Sequence, residues 1–321
     1  MIEKIMNSKP IPVTILSGFL GAGKTTLLNH VMTKKGNLNL AVIVNDFGSV
    51  NIDADLVKAK DETVMQLENG CICCSLAEGL IVAVMRVLAM ENRPDHIIVE
   101  TSGISEPIDV ARKFNDPELK QLAPINAIVT TIDAENILGL EGSMLELATQ
   151  QVLVADIVLV NKTDLVTEQH LKKVHQWCHQ HNAVAKRLDV KFAEIDLPII
   201  FDETTGTELN IAEDYVEANV GHLKHNFETY SYETDKQLSM QKLYPVLERL
   251  SLDIYRMKGI LNIEERQDRQ CVFQCTGQRA TVVVGDEWEN NEQRLTRLVF
   301  IAPKGILERE TISLLLDKTL A

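Results

Sequence analysis

The segment Gly18-Phe19-Leu20-Gly21-Ala22-Gly23-Lys24-Thr25 constrains the fold of this chain more than any other. It follows an apolar, β-branched run at residues 11–16 and precedes a helix-forming stretch at 25–34. Strand, glycine-rich turn and helix in that order make a loop that wraps phosphate. The glycines let backbone N–H groups turn inward, and the positive end of the following helix adds to their field. In this reading Gly18, Gly21, Ala22 and Gly23 form a cradle for a nucleoside triphosphate. Lys24 reaches the terminal phosphates, Thr25 offers its hydroxyl to Mg²⁺, and Thr26 is a further nucleotide contact on the same helix.

The pattern around the loop supports an α/β class. Short apolar runs at 40–45, 96–100, 127–132 and 157–160 read as buried strands. Helix patterns near 25–34, 76–89, 143–150 and 167–181 alternate with them, which predicts a mostly parallel sheet with helices on both faces. Sites in such sheets form at the carboxyl ends of the strands. The character changes after about residue 200. Strand patterns at 227–232, 255–262, 270–275, 280–284 and 297–301 combine with helix patterns at 238–250 and 311–318. The expectation is a phosphate-loop domain over 1–205, a polar linker over 206–225 and a smaller C-terminal α+β domain over 226–321.

Charge and hydropathy exclude several classes. Lys and Arg total 32 against 46 Asp and Glu, a net −14. So acidic a surface repels a phosphate backbone, so no nucleic-acid partner is expected. No run resembles a signal peptide or spans a bilayer, which predicts a cytoplasmic protein with no membrane partner.

Two further motifs refine the nucleotide site. Asn161-Lys162-Thr163-Asp164 directly follows a strand. A carboxylate at Asp164 can accept hydrogen bonds from guanine N1–H and its exocyclic amine. Adenine has no such donor pair and would leave the carboxylate unpaired. Lys162 can lie along the base plane and Asn161 can brace the loop. In His96-Ile97-Ile98-Val99-Glu100-Thr101-Ser102-Gly103 a strand ends in an acid with glycine three residues later. Glu100 is placed to hold Mg²⁺ through water, and the Gly103 N–H to sense the γ-phosphate. Lys24, Glu100 and Gly103 are the candidate catalytic residues.

Between these motifs lies Glu68-Asn69-Gly70-Cys71-Ile72-Cys73-Cys74. Together with Asn45-Asp46-Phe47-Gly48, Glu100-Thr101-Ser102-Gly103 and Asn161-Lys162-Thr163-Asp164, it resembles the cobalamin-synthesis W family. That family is related to nitrile-hydratase activators and zinc-regulated GTPase metallochaperones, and the resemblance covers nearly the whole chain. It implies slow GTP hydrolysis coupled to binding a transition metal and delivering it to a client metalloprotein. It also implies that the C-terminal domain meets the client.

The thiols support this independently. Three thiolates at Cys71, Cys73 and Cys74 can bind a borderline-soft cation, with a fourth position left for another ligand. Zn²⁺ is favoured on availability and Co²⁺ by family analogy, while Ni²⁺ and Fe²⁺ suit the same donors. Redox chemistry is the rival thiol reading, and buried packing cysteines rarely cluster three in four positions. Asp46 stands where the family more often has Glu, and it can serve the cargo metal, serve Mg²⁺ or cap a turn. GTP and Mg²⁺ would order the segments around Asp46 and Gly103 and so set the thiolates, with GDP relaxing them. No water-orienting glutamine is identifiable, which predicts slow intrinsic turnover. A GTP-gated metal sensor with incidental hydrolysis is the alternative from another class. A small-molecule kinase conflicts with both Asp164 and the triple cysteine.

Other features rank lower. His175 and His179 share a helical face, but an exposed helix accounts for them. His222 and His225 read as solvated. Cys271 and Cys275 fall on one face of a strand, where packing is the default, and Trp288 is either a partner contact or a core anchor.

Overall fold

The computed structural model describes residues 8–45, 64–66, 75–201, 227–277, 279–288, 293–306 and 308–321. The chain forms two compact units, Met1–Thr205 and Gly206–Ala321. The segment 206–225, expected as a linker, lies outside the described residues.

In the first unit β1 (Val13–Gly18) leads through the glycine-rich loop into α1 (Lys24–Lys34). β2 (Leu40–Asn45), β3 (Val64–Gln66), α2 (Ser75–Leu88) and β4 (His96–Thr101) follow. Then come α3 (Pro107–Lys113), α4 (Pro117–Leu122), β5 (Ile125–Asp133) and α5 (Gly142–Leu153). β6 (Ile157–Asn161), α6 (Glu168–His181) and β7 (Lys186–Asp189) complete the unit. Among the described residues seven strands form one sheet in the order β3-β2-β4-β1-β5-β6-β7. Every pairing in it is parallel. The α/β reading is borne out.

The strand sequences explain this arrangement. β1, β4 and β6 are buried at every position, as strands covered on both faces must be. Val13, Ile15, Ile97 and Val99 pack against Val84 and Val87 of α2 and Phe114 and Leu119 of the α3–α4 region. Toward the other edge Ile132, Val158 and Val160 pack against Val152 of α5 and Val174 and Cys178 of α6. Four elements were not anticipated: β3, β7, α3 and α4. β7 reads Lys-Arg-Leu-Asp, a charged edge strand with little apolar signal. α3 and α4 are a few residues long, and each starts on a proline.

In the second unit β8 (Phe227–Thr234), α7 (Met240–Ser251), β9 (Arg256–Leu261) and β10 (Arg269–Thr276) precede β11 (Arg279–Glu287), β12 (Thr296–Pro303) and α8 (Arg309–Asp317). The sheet is antiparallel in the order β11-β10-β9-β12-β8. Leu243, Leu247, Leu250, Ile312 and Leu316 of the helices cover Met257, Phe273, Leu298 and Phe300 of the sheet. Cys271 and Cys275 lie in that core, and Trp288 is buried. This is the expected α+β unit. Among the described residues no helix is long and apolar enough to cross a membrane.

Asn182 joins the ends of two helices in the first unit. Its Nδ2 donates to the carbonyls of Val152 at 2.9 Å, Leu153 at 3.1 Å and Ala155 at 3.0 Å. Its Oδ1 accepts from the Ala185 N–H at 2.9 Å. One amide therefore terminates α6, satisfies the end of α5 and sets the entry to β7. Asn182→Ala leaves these buried groups without their partner, so unfolding stability should fall by about 2 kcal/mol or more. Urea titration checks this, with a lower midpoint at unchanged slope as the expected result.

Candidate functional site

The parallel register brings the ends of β1, β4, β5 and β6 to one edge of the sheet. Gly18 ends β1 and the loop turns back on itself, with the Ala22 N–H donating to the Phe19 carbonyl at 3.2 Å. Lys24 is buried, and its Nζ donates to the carbonyls of Gly18 at 2.9 Å and Phe19 at 3.4 Å. Those carbonyls hold the ammonium over the loop, where a phosphate would meet it. Gly21 and Thr26 are exposed, and Ala22 is buried. Gly23 caps α1 with φ +105°, a conformation that disfavours a side chain. A Cβ there would also collide with Nδ2 of Asn161.

Glu100 sits at the end of β4, buried and in register with Leu16 of β1. The Thr25 hydroxyl donates to Glu100 Oε1 at 3.4 Å. A hydroxyl and a carboxylate side by side at the loop are hard oxygen donors of the kind Mg²⁺ takes, so the residues present fit that ion. The turn after β4 passes directly over the loop: a Cβ on Gly103 would stand 2.9 Å from the Leu20 backbone nitrogen. Gln151 of α5, 1% exposed, fixes that turn. Its Nε2 donates to the carbonyls of Gly103 at 3.2 Å and Ser105 at 3.1 Å. Gln151 carried no motif in the sequence, because its role depends on α5 packing beside the turn.

Asn161 is 2% exposed and its side chain spans the site. Nδ2 donates to the Ala22 carbonyl at 2.9 Å, and Oδ1 accepts from the Ala193 N–H at 2.9 Å. The phosphate loop, the end of β6 and the segment after β7 are thus tied by one amide. Thr163 adds a second tie, its hydroxyl donating to the Val190 carbonyl at 3.1 Å. Asp164 lies in the following turn and is exposed. Lys162 has a left-handed backbone, φ +61°, and its Nζ forms a 2.7 Å ion pair with Asp133 Oδ2 at the end of β5. Its charge is therefore engaged by Asp133, and its alkyl stem is what it can lay along a base. Burial raises the Asp133 carboxyl, but hydrogen bonds from Lys162 and Asn136 outweigh it and hold the group below the usual carboxylate range. A cleft of about 280 Å³ lies between the loop and the end of β5, lined by Phe19, Leu20, Gly21, Asp133, Gln151 and Lys162 among others.

Asp46, Cys71, Cys73 and Cys74 lie outside the described residues, as do His222 and His225. Their described neighbours are placed as follows. Asn45, before Asp46, pairs with Thr101 at the end of β4. Gln66 ends β3, and Ser75, directly after Cys74, begins α2. On α6, His175 Nε2 lies 2.8 Å from Asp189 Oδ1, an acidic partner supplied by the unanticipated β7. Burial pushes the Cys178 thiol up to about 12, so it stays protonated at neutral pH. Among the described residues no group of three or more His, Cys, Asp or Glu could hold a metal ion.

Residues 12–189 match the CobW/HypB/UreG nucleotide-binding domain, and residues 227–320 match the C-terminal domain of the cobalamin synthesis protein cobW. The chain belongs to the CobW family. It is 29% identical to the zinc chaperone CobW of a Sinorhizobium species, over 92% of this chain and 93% of that protein. It is 30% identical to the zinc-regulated GTPase metalloprotein activator 1 of Dictyostelium discoideum, over 89% of this chain and 70% of that protein. The zinc chaperone YjiA of Escherichia coli is 31% identical, over 81% of this chain and 84% of that protein. The resemblance carried by the glycine-rich loop, the cysteine motif and the Asn161–Asp164 tetrapeptide is thereby borne out.

Removing the Asn161 amide strands a buried carbonyl at Ala22 and a buried N–H at Ala193. Asn161→Ala should weaken guanine-nucleotide binding by roughly tenfold or more, the effect of losing a buried hydrogen-bonded partner. Isothermal titration with GDP checks it, and affinity within twofold of the parent would show that the loops hold without this bridge.

Proposed function

We propose that this CobW-family protein is a GTPase that times the binding and delivery of a transition metal, Zn²⁺ first among candidates, to a client metalloprotein. The observation that carries the reading is the Asn161 bridge. It ties the phosphate loop at Ala22 and the segment after β7 at Ala193 to the residue three before Asp164, which supports reading triphosphate and base at one site. Hydrolysis of GTP follows from family membership and from the GTPase among its relatives. The zinc chaperones among those relatives support the metal.

The residue roles are as follows. The backbone of Gly18, Gly21, Ala22 and Gly23 wraps the phosphates, Lys24 neutralises the terminal ones, and Thr26 adds a contact on α1. Thr25 and Glu100 hold Mg²⁺, which when bound offsets the charge of the phosphates. The Gly103 N–H faces the γ-phosphate from its turn above Leu20. Asp164 selects guanine, with Asn161 as brace and the Lys162 stem along the base. Cys71, Cys73 and Cys74 carry the cargo metal, with Asp46 as an additional oxygen donor. Residues 1–205 are the GTP-binding domain, 206–225 the linker, and 226–321 the domain that meets the client.

The sheet supports a link between the two chemistries. β1, β4, β2 and β3 are consecutive parallel neighbours, so Gly18, Thr101, Asn45 and Gln66 end their strands along one edge. GTP and GDP should therefore give metal affinities that differ by roughly fivefold or more, the lower end of typical coupling between sites. Competition titration with Zn²⁺ in GDP and in a non-hydrolysable GTP analogue measures this. Equal affinities sink timed release and leave the GTPase standing. Cys73→Ser should weaken Zn²⁺ binding in both nucleotide states. Transfer to an apo-client that GTP accelerates separates a chaperone from a sensor that only changes partner.

Base selection has its own test. Asp164→Asn replaces a double acceptor with a group that can donate to a C2 carbonyl, so preference should move from GTP toward xanthosine triphosphate. Competition binding of the two triphosphates reads the change, and an unaltered preference would remove Asp164 from the base site.

A further inference from the structure

The turn after β7 has a conformation its own residues disfavour. The Glu194 N–H donates to the Lys191 carbonyl at 3.0 Å, closing a four-residue turn. Its central residues, Phe192 and Ala193, have φ of +52° and +53°. Positive φ at both central positions marks a type I′ turn, which Gly, Asn and Asp fill because other side chains are strained there. For Ala193 the reason is visible, since its N–H must reach Asn161 Oδ1. Phe192 has no such return. The residue is 69% exposed, in a stretch where Val190, Ala193 and Ile195 are all buried.

The backbone gives Phe192 little freedom to retreat. On one side the Val190 N–H donates to the Val160 carbonyl at 2.9 Å, and the Val190 carbonyl receives Thr163. On the other side Ala193 is held by Asn161, and the Ile195 carbonyl lies 2.9 Å from His30 Nε2 on α1. The turn bearing Asp164 and the segment after β7 are therefore laced together on either side of one exposed aromatic residue in the chain. Strain kept at a pinned, exposed position is the pattern of a residue held for binding.

We infer that Phe192 is the base-stacking residue of the nucleotide site. Its ring covers one face of the guanine whose hydrogen-bonding edge meets Asp164, and the Lys162 stem lies on the opposite face. This inference rests on the GTP reading above and adds a residue that fixes affinity without choosing the base. Stacking is tolerant of base identity because every base has a π-face, whereas the edge contacts at Asp164 discriminate.

The test uses the full chain and four variants. Phe192→Ala should weaken GDP and GTP roughly 5- to 150-fold, the range of losing one aromatic–base stack. Phe192→Leu should recover only part of that loss, and Phe192→Trp should restore it, with indole fluorescence quenched on adding GDP. The ratio of GTP to inosine triphosphate affinity should stay at the parent value in Phe192→Ala, since the 2-amino group is read elsewhere. Phe192→Gly should bind nucleotide as weakly as Phe192→Ala while its nucleotide-free form melts at or above the parent temperature, because glycine relieves the left-handed strain. If Phe192→Ala binds GDP within twofold of a parent that binds GTP, stacking is overturned and the GTP reading survives. If the parent itself does not bind GTP, both fall together.

Discussion

A single side-chain amide holds the nucleotide site together. Asn161 gives its N–H to the phosphate loop at Ala22 and takes one from the segment after β7 at Ala193. A side-chain amide donates through its nitrogen and accepts through its oxygen, so it bridges such a gap without carrying charge. Its position explains two neighbours. Gly23 must lack a Cβ because the amide occupies that space. Ala193 must take a left-handed conformation so that its N–H reaches Oδ1. Replacing either neighbour would disturb both loops, since they share one partner.

The second constraint is the parallel order of the sheet. β1 lies between β4 and β5, and β6 lies beyond β5, so four chain segments distant in sequence end at the same edge. Polar side chains buried within the core keep these segments in place. Asn126 donates to the Ile200 carbonyl at 2.8 Å, and His96 contacts the Phe201 ring edge-on at 4.9 Å, anchoring the stretch that follows the turn at Phe192. Thr101 donates to the Leu16 carbonyl at 3.1 Å, fixing the end of β4 against β1. Such buried bonds define one arrangement, because breaking any of them leaves an unpaired group inside the protein.

Much of this was legible in the sequence, and the reasons are physical. The glycine-rich loop, the apolar strands and the amphipathic helices write their structure locally, in φ freedom and in hydrophobic period. So do the strands and helices of the second unit. Residues whose meaning depends on a distant partner could not be read. Gln151 is an unremarked helix residue until its amide meets Gly103 and Ser105. That the Lys162 ammonium pairs with Asp133 from another strand, leaving its stem to lie along a base, could not be read either. β7 hid because an edge strand needs no apolar face, and with it went the Asp189 partner of His175. Phe192 gave no signal because its unusual backbone is imposed by the bonds around it.

The scale of these bonds bears on how hydrolysis could move a metal. A tenfold change in affinity corresponds to about 1.4 kcal/mol. One or two buried hydrogen bonds are worth that much. Gln151 makes two bonds to the turn carrying Gly103, and that turn rests on Leu20 of the phosphate loop. Loss of a γ-phosphate contact at Gly103 would act directly on this small latch, without any rearrangement of the sheet. Thr101, at the end of β4, is in register with Asn45, beyond which the Asp46 segment begins. A timer of the proposed kind therefore needs only a local shift at the end of β4, where the turn over the loop begins beside the end of β2.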